Sequence, residues 1–246
     1  MIGGIPFEAI RPPDTGTFKR RVALTFDDGP GAGTAEVLNV LRRRGLKATF
    51  FIHGANIVGR ESLILRMVRE GHLIANHGER HADLSNGSDA TSSCEATWKR
   101  LEKYALPGAL RWFRFPGGRA SLDSREAVED LGHCVVGWHI DSADWCYADP
   151  RGGRGVCDKS TFRWVDDDVR SDLSANVLRQ VKAFSGGIVL MHDNRTYTAD
   201  TLDEVITALA FGGFGFTTLL DDGAFPKLVS RARRLRDAVA KSSSLA

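Results

Sequence analysis

Short runs of β-branched, leucine and aromatic residues alternate along this chain with longer amphipathic segments, and this alternation constrains the fold more than any other feature. The pattern is typical of βα units, whose strands pair in parallel. The predicted strands are Val22–Phe26, Ala48–Ile52, Leu73–Asn76, Trp112–Arg114, Val135–Ile140, Ile188–Met191 and Phe216–Leu219. The predicted helices between them are Ala35–Arg44, Leu63–Glu70, Asp89–Tyr104, Ser124–Leu131, Leu173–Phe184 and Thr201–Phe211.

These elements predict an α/β fold, a deformed (β/α)7-8 barrel of the TIM type with one long inserted loop after the fifth strand. That loop, from Cys146 to Asp168, exceeds the roughly two to six residues usual for a βα connection. A length of 246 residues suits one large domain. We expect an irregular lead-in over residues 1–20, one compact domain over residues 21–222, and a C-terminal helix and tail over residues 223–246.

Charge and hydropathy exclude some classes of function. A net charge of +2 is too small to indicate a nucleic-acid partner, which requires a concentrated basic face. The local basic run near the C-terminus is interpreted as a solvated terminal helix. No apolar run approaches the roughly 20 residues that span a bilayer, so we expect no membrane span.

Four cysteines allow disulfides if the protein works outside the cytoplasm. Cys146 and Cys157 bracket a Gly- and Arg-rich stretch, and a disulfide closing that loop is the first expectation. A bond between Cys94 and Cys134 is a second candidate, with buried free thiols as the alternative for both pairs. The first residues lack the charged and apolar regions of a signal peptide, so either an export signal was removed or the protein stays inside the cell.

Ionisable residues follow most of the predicted strands. In barrels of parallel strands, reactive side chains gather at the carboxyl ends of the strands, so we expect these residues to lie together. They are Asp27 and Asp28 after the first strand, His77 and His81 after the third, Arg114 at the end of the fourth, Asp141 and Asp144 after the fifth, and His192 after the sixth. Trp145, which does not ionise, directly follows Asp144.

Two of these groups together have the composition of a metal site. Two histidines four residues apart can point the same way, and one added carboxylate completes a three-ligand site that leaves a position open for water. Zinc accepts this donor mixture, and cobalt or nickel would bind similar ligands. Taken alone, the histidines could be surface or core residues and the acidic pair a helix-capping turn. Their joint placement at strand ends favours the metal site.

These five segments, in this order, resemble the five motifs of the polysaccharide deacetylases of carbohydrate esterase family 4, the NodB-homology family. The resemblance covers about residues 20 to 220. It implies that Asp27 is the general base, that Asp28, His77 and His81 are the metal ligands, and that His192 is the general acid. It further implies that Arg114 orients the base, that Asp144 supports the acid, and that Trp145 and Leu190 form walls of the acetyl pocket. The family usually has Ser or Thr directly after the first histidine, and this chain has Gly78.

The implied activity is removal of N-acetyl groups from N-acetylglucosamine units of a peptidoglycan-type or chitin-type polymer. A divalent metal, expected to be zinc, would polarise the acetyl carbonyl and activate water, while Asp27 takes a proton and His192 gives one to the leaving amine. A backbone N–H just after Pro116, assigned to Gly117, would help to hold the oxyanion. Such a protein is expected to be a monomer located outside the cell, in the periplasm or in the cell envelope, with a cytoplasmic location as the alternative.

Two other functions are weighed against this one. Some members of the family remove O-acetyl groups from xylan with the same chemistry, and a non-catalytic glycan-binding module on the same barrel is the alternative from another class. In the long loop, Tyr147, Arg151, Arg154 and Trp164 are candidates to line a sugar-binding groove. The histidines outside the motifs, His53, His72, His133 and His139, are interpreted as packing or surface residues.

Overall fold

The computed structural model describes residues 18–148 and 155–243 and shows alternating strands and helices. Most of the predicted lead-in over residues 1–20 lies outside the described residues. The strands are β1 (Arg21–Gly29), β2 (Thr49–Ile52), β3 (Leu73–Asn76), β4 (Arg111–Phe113), β5 (His133–Val135), β6 (Ile140–Asp141), β7 (Gly187–His192) and β8 (Gly215–Thr217). The helices are α1 (Thr34–Arg44), α2 (Glu61–Arg69), α3 (Gly87–Leu101), α4 (Leu122–Asp130), α5 (Asp144–Tyr147), α6 (Leu173–Phe184), α7 (Thr196–Phe211) and α8 (Pro226–Ser243).

The strands form one parallel sheet that curls into a deformed barrel, which confirms the predicted fold class. Its order is β5-β4-β3-β2-β1-β7-β6, so β5 and β6, which are consecutive in the chain, stand at the two ends. β8 pairs with the first residues of β1, Arg21–Ala23, while β2 pairs with the last part of that strand. The curled sheet brings the carboxyl ends of strands that are distant in sequence to one mouth.

The two-residue period of the strands decides which side chains reach that mouth. On β1, Val22, Leu24 and Phe26 pack in the cluster beneath the outer helices. The alternate residues Ala23, Thr25 and Asp27 face the barrel interior, where Ala23 joins a second core cluster and Thr25 and Asp27 contact Arg114. An apolar residue deep in the barrel is therefore followed, on the same face, by a polar one near the mouth.

The predicted strand Val135–Ile140 is wrong as a single element. β5 ends at Val135 and β6 starts at Ile140. Between them the amide of Val136 donates to the carbonyl oxygen of Phe113 on β4 (2.8 Å), and the amide of His139 donates to that of Ile188 on β7 (2.9 Å). The segment thus crosses the seam of the barrel, and an apolar run cannot reveal a change of pairing partner. The long inserted loop consequently follows the sixth observed strand.

A disulfide and one arginine organise that loop. The Cys146–Cys157 bond is present, as predicted, whereas the suggested Cys94–Cys134 bond is wrong because both residues are buried free thiols. Arg170 is largely buried and donates to the carbonyl oxygens of Cys157 (2.9 Å) and Phe162 (3.1 Å). These contacts hold the segment after Cys157 against the barrel.

The C-terminal helix α8 packs one face on the barrel instead of being solvated all round. Leu228, Val229 and Ala232 are buried in the same core cluster as Trp112. Arg231 on its flank pairs with Glu129 of α4. Within the described residues, no helix combines the length and the hydrophobicity that a membrane crossing requires.

Candidate active site

A cleft of about 430 Å³ opens at the carboxyl ends of the strands, where the sequence placed the reactive residues. The predicted site residues that line it are Asp27, Asp28, His77, His81, Gly117, Asp141, Trp145, Leu190 and His192. Arg114, Pro116 and Asp144 are buried behind them. The fold therefore gathers five separate segments of the chain around one cavity.

Asp27 is held by a buried guanidinium. Arg114 is 1% exposed, and its Nη1 donates to Asp27 Oδ1 and to Thr25 Oγ1, each at 2.8 Å. Its other nitrogens donate to carbonyl oxygens of the seam segment, those of Val136 (3.3 Å) and Gly137 (2.9 Å). Since every bond fixes the plane of the guanidinium, Arg114 both orients the Asp27 carboxylate and balances its charge.

A compact cluster of donor atoms lies beside this pair. Asp28, His53 and His77 each offer one ligand atom, and these atoms lie within 4.8 Å of one another. Asp28 Oδ1 is 3.4 Å from His77 Nε2 and 3.0 Å from His53 Nε2. His81, the other predicted ligand, lies on the exposed side, with its ring centroid 6.0 Å from that of His53.

The cluster has the chemistry of a divalent metal site. His77 Nδ1 lies 2.8 Å from the carbonyl oxygen of Arg114. A carbonyl only accepts, so Nδ1 carries a hydrogen there, and Nε2 faces the Asp27 and Asp28 carboxylates. Metal-binding histidines are commonly held in this way by a backbone carbonyl. One carboxylate and imidazole nitrogens form a donor set that zinc accepts.

Asp28 is ionised despite its burial. Burial acts to raise its pKa, but hydrogen bonds with His53 and His77 hold the pKa well below the usual range for a carboxyl. Asn194 Nδ2 also donates to Asp28 Oδ2 at 3.2 Å. The carboxylate is thus fixed as an anion that points into the cleft.

His192 and Asp144 form a second proton-handling pair across the cleft. His192 Nδ1 lies 2.7 Å from Asp144 Oδ1, and the His192 amide donates to Asp144 Oδ2 at 2.7 Å. The Thr198 hydroxyl donates to the same carboxylate oxygen. Burial acts to lower the pKa of His192, but the Asp144 carboxylate outweighs it and raises that pKa to about 10. His192 is therefore protonated at neutral pH. Its Nε2, which is not bonded to Asp144, can donate a hydrogen to a group bound in the cleft.

A third carboxyl, Asp193, packs beneath the site. Its side chain is buried, and burial raises its pKa to about 7. The hydroxyl of Thr34 donates to its Oδ2 at 2.5 Å. A Cβ on Gly29 would come within 2.3 Å of Asp193 Oδ1, which explains why glycine follows Asp28.

The aromatic side chains that line the cleft, here called the aromatic wall, are Phe115, Trp138, Trp145, Phe162 and Trp164. Trp145 packs edge-on against Phe162, with centroids 5.5 Å apart, and Trp164 is 74% exposed. Tyr147, a candidate for this wall, does not reach it, because it is fully buried and its hydroxyl donates to the carbonyl oxygen of Val169. The candidates Arg151 and Arg154 lie outside the described residues. An exposed aromatic wall suits the apolar faces of a sugar polymer.

Gly78 departs from the motif for a structural reason. Its φ is +73°, and a Cβ there would come within 2.9 Å of Ser93 Oγ and 3.0 Å of Leu84 Cδ1. The Ser93 hydroxyl, which comes from α3, accepts the amide hydrogen of Glu79 at 2.7 Å. Ser93 thus supplies a hydroxyl where position 78 has none. Its bond with the Glu79 amide ties the loop that carries His77 and His81 to α3.

Sequence reasoning missed His53, Asn194 and the aromatic residues Trp138 and Phe162. The sequence interpretation of His53 as a packing or surface residue overlooks that His53 directly follows β2. It is two residues beyond Phe51, which faces the barrel interior, so the strand period places it at the mouth. Asn194 likewise follows the end of β7. The strand-end rule would have found both.

Comparisons with known proteins agree with this geometry. A sequence profile described as "Polysaccharide deacetylase" matches residues 14–136. The chain is 37% identical over 202 residues to a chitooligosaccharide deacetylase of Bradyrhizobium sp. (strain ANU 289), covering 78% of this chain and 82% of that protein. It is 29% identical over 202 residues to peptidoglycan-N-acetylglucosamine deacetylase PgdA of Listeria monocytogenes, covering 81% of this chain but only 38% of that longer protein.

A solved structure supports the same assignment. The family 4 carbohydrate esterase from Streptomyces lividans, in complex with acetate, superposes with a TM-score of 0.64 at 26% identity. The alignment covers 81% of this chain and 92% of that one.

The His192–Asp144 pair generates a prediction about pH. If His192 acts as an acid, activity is present below its pKa and lost above it. Asp144→Asn removes the charge that raises this pKa, so the alkaline decline of kcat/KM should start at a pH lower by about one unit or more. Thr198→Val, which keeps the carboxylate, should shift the decline less. An alkaline limb that does not move in Asp144→Asn would contradict the pairing.

Gly78 generates a prediction about stability. Gly78→Ser, which restores the residue usual in the family, should lower the free energy of unfolding by about 1 kcal/mol or more because of the positive φ and the contacts with Ser93 and Leu84. Gly59→Ser is the matched control, since Gly59 has a φ of +77° and open space around it. Urea unfolding should show a larger loss for Gly78→Ser, and equal losses would mean that the crowding is unimportant.

Proposed function

The chain belongs to the polysaccharide deacetylase family, and on this premise we propose that it is a metal-dependent hydrolase that removes N-acetyl groups from N-acetylglucosamine units of a polysaccharide or oligosaccharide. The observation that carries the proposal is the placement of two proton-handling pairs, Asp27 with Arg114 and His192 with Asp144, around the donor cluster of one cleft. Relatives that act on peptidoglycan and on chitooligosaccharides support the choice of a β-linked N-acetylglucosamine polymer.

Asp28, His77 and His81 would hold the metal, for which zinc is the first choice and cobalt or nickel are alternatives. The chemistry supplied by a divalent ion there would be polarisation of the acetyl carbonyl and a lower pKa for the attacking water. Asp28 Oδ1 and His77 Nε2 lie 3.4 Å apart, so one ion could contact both atoms. His81 stands at the entrance of the cleft and would complete the set.

The side chains divide the proton transfers between them. Asp27, oriented by its bond with Arg114, takes the proton of the water that adds to the acetyl carbon. His192, protonated through Asp144, gives its proton to the sugar nitrogen as the carbon–nitrogen bond breaks. Acetate and a free amine are the products. The Gly117 amide, at the cleft edge, would donate to the oxyanion, while Trp145 and Leu190 enclose the acetyl methyl group.

Location and assembly follow from the same proposal. The Cys146–Cys157 disulfide is typical of an oxidising compartment. A peptidoglycan or chitin polymer also lies outside the cytoplasm. We therefore place the protein in the cell envelope or outside the cell. A monomer with one catalytic domain over residues 21–222 stays a prediction.

Replacing either end of the proton path should abolish most activity without removing the metal. Asp27→Asn and His192→Ala should each lower kcat on a chitooligosaccharide about 100-fold or more, because each group transfers a proton in the reaction. Metal content should stay at the wild-type level. Asp203→Asn, a surface carboxylate paired with Arg44, is the control and should be fully active. Full activity of either site variant would refute its assigned role.

Mass spectrometry of products from a panel of acetylated glycans tests the substrate class. We expect acetate release from chitooligosaccharides or peptidoglycan fragments, and its loss after treatment with a chelator. Acetate release from acetylxylan alone would favour the O-acetyl esterase alternative. Glycan binding without acetate release and without bound metal would favour a non-catalytic module.

A further inference from the structure

His53 is the residue of the cleft that the proposed function leaves without a role. It directly follows β2 and is 4% exposed, so its imidazole is as enclosed as that of His77. The two rings lie side by side, with centroids 4.6 Å apart and planes inclined by 31°. His53 Nε2 is 3.0 Å from Asp28 Oδ1, closer than His77 Nε2 at 3.4 Å.

Hydrogen bonding fixes the orientation of the His53 ring. Nδ1 lies 3.2 Å from the carbonyl oxygen of Gly78, which can only accept, so Nδ1 carries a hydrogen. Nε2, on the opposite side of the ring, points at the Asp28 carboxylate. His77 is arranged in the same way by the carbonyl of Arg114. With no ion present, a hydrogen on Nε2 joins His53 to the Asp28 carboxylate, and a metal ion between the two atoms would replace that hydrogen.

Two of the three distances in the cluster match those around a small cation, and all three ligand atoms lie within 4.8 Å of one another. Ligand atoms about 2.0–2.1 Å from a tetrahedral zinc ion lie about 3.3 Å from one another. The contacts of Asp28 Oδ1 with the two Nε2 atoms, 3.0 and 3.4 Å, bracket that value. His53 is held by the rigid strand end before it and by the Gly78 carbonyl, which belongs to the loop of His77.

We propose that His53 is itself a ligand of the metal, binding through Nε2 together with Asp28 and His77. This inference rests on the proposed function for the presence of a metal, and adds a fourth protein ligand that the sequence motifs do not contain. A five-coordinate ion would still keep one position for water. His53 is 4% exposed whereas His81 is exposed, so His53 would hold the ion from the buried part of the cleft. It also ties the metal to the loop that begins at His77.

The test compares zinc-loaded wild type with His53→Ala and His53→Gln. X-ray absorption at the zinc edge should count one imidazole fewer in both variants. Competition with a chromophoric chelator should show zinc affinity lowered more than about 100-fold, beyond the 10–100-fold typical of residues that only orient a ligand. The glutamine variant can still donate to Asp28, so it separates ligation from positioning. Thermal unfolding of the metal-free proteins reports whether each variant folds, and His53→Gln serves if His53→Ala does not.

His72→Gln is the matched control, since His72 is buried, accepts a hydrogen bond from the Ala48 amide, and lies outside the cleft. It should leave both the imidazole count and the affinity unchanged. An unchanged imidazole count in the His53 variants, with deacetylation still abolished by a chelator in the wild type, would overturn this inference and leave the proposed function intact. A wild-type protein that binds no zinc, cobalt or nickel would overturn both.

Discussion

Burial of charge at the mouth of the barrel is the constraint on which the rest of the structure depends. Asp27 is 3% exposed and Arg114 is 1% exposed, so each ion would be costly without the other. Their bond at 2.8 Å reduces that cost, and Arg114 has a second role. Arg114 also donates to the carbonyl oxygens of Val136 and Gly137, where the chain crosses from β5 to β6. The same guanidinium thus closes the barrel seam and orients the candidate base.

The remaining charges are balanced locally. Asp144 is paired with His192, and Asp28 is surrounded by His53, His77 and Asn194. Because each carboxylate has its own partner, adjacent acidic residues can coexist as anions with different tasks. Asp27 is bonded to the guanidinium of Arg114, whereas Asp28 faces the imidazole nitrogens of His53 and His77 and has the surroundings of a metal ligand. Environment, rather than residue type, separates the two roles.

Much of this arrangement could be predicted from the sequence, because the barrel fold and the two-residue period of its strands place residues at the mouth by position alone. The gathering of Asp27, His77 and His192 follows from that rule. Asp28 breaks it, because its φ of +71° and the register shift between Asp27 and Gly29 interrupt the strand period. The rule also applies to His53, which directly follows β2 but belongs to none of the five motifs. The crossing between β5 and β6 could not be predicted, since an apolar run carries no information about which strand it pairs with. The positions of Phe162 and Trp164 depend on Arg170 and on a disulfide-closed loop, which are tertiary contacts without a local pattern.

The central claim, that strand ends remote in sequence converge on one divalent ion, can be tested most directly by anomalous diffraction at the zinc edge from crystals grown with zinc. We expect a single strong peak in the cleft, about 2.0–2.2 Å from the ligand atoms of both Asp28 and His77 and next to His53 Nε2. A cleft without a peak under saturating zinc, or an ion bound away from Asp28, would contradict it.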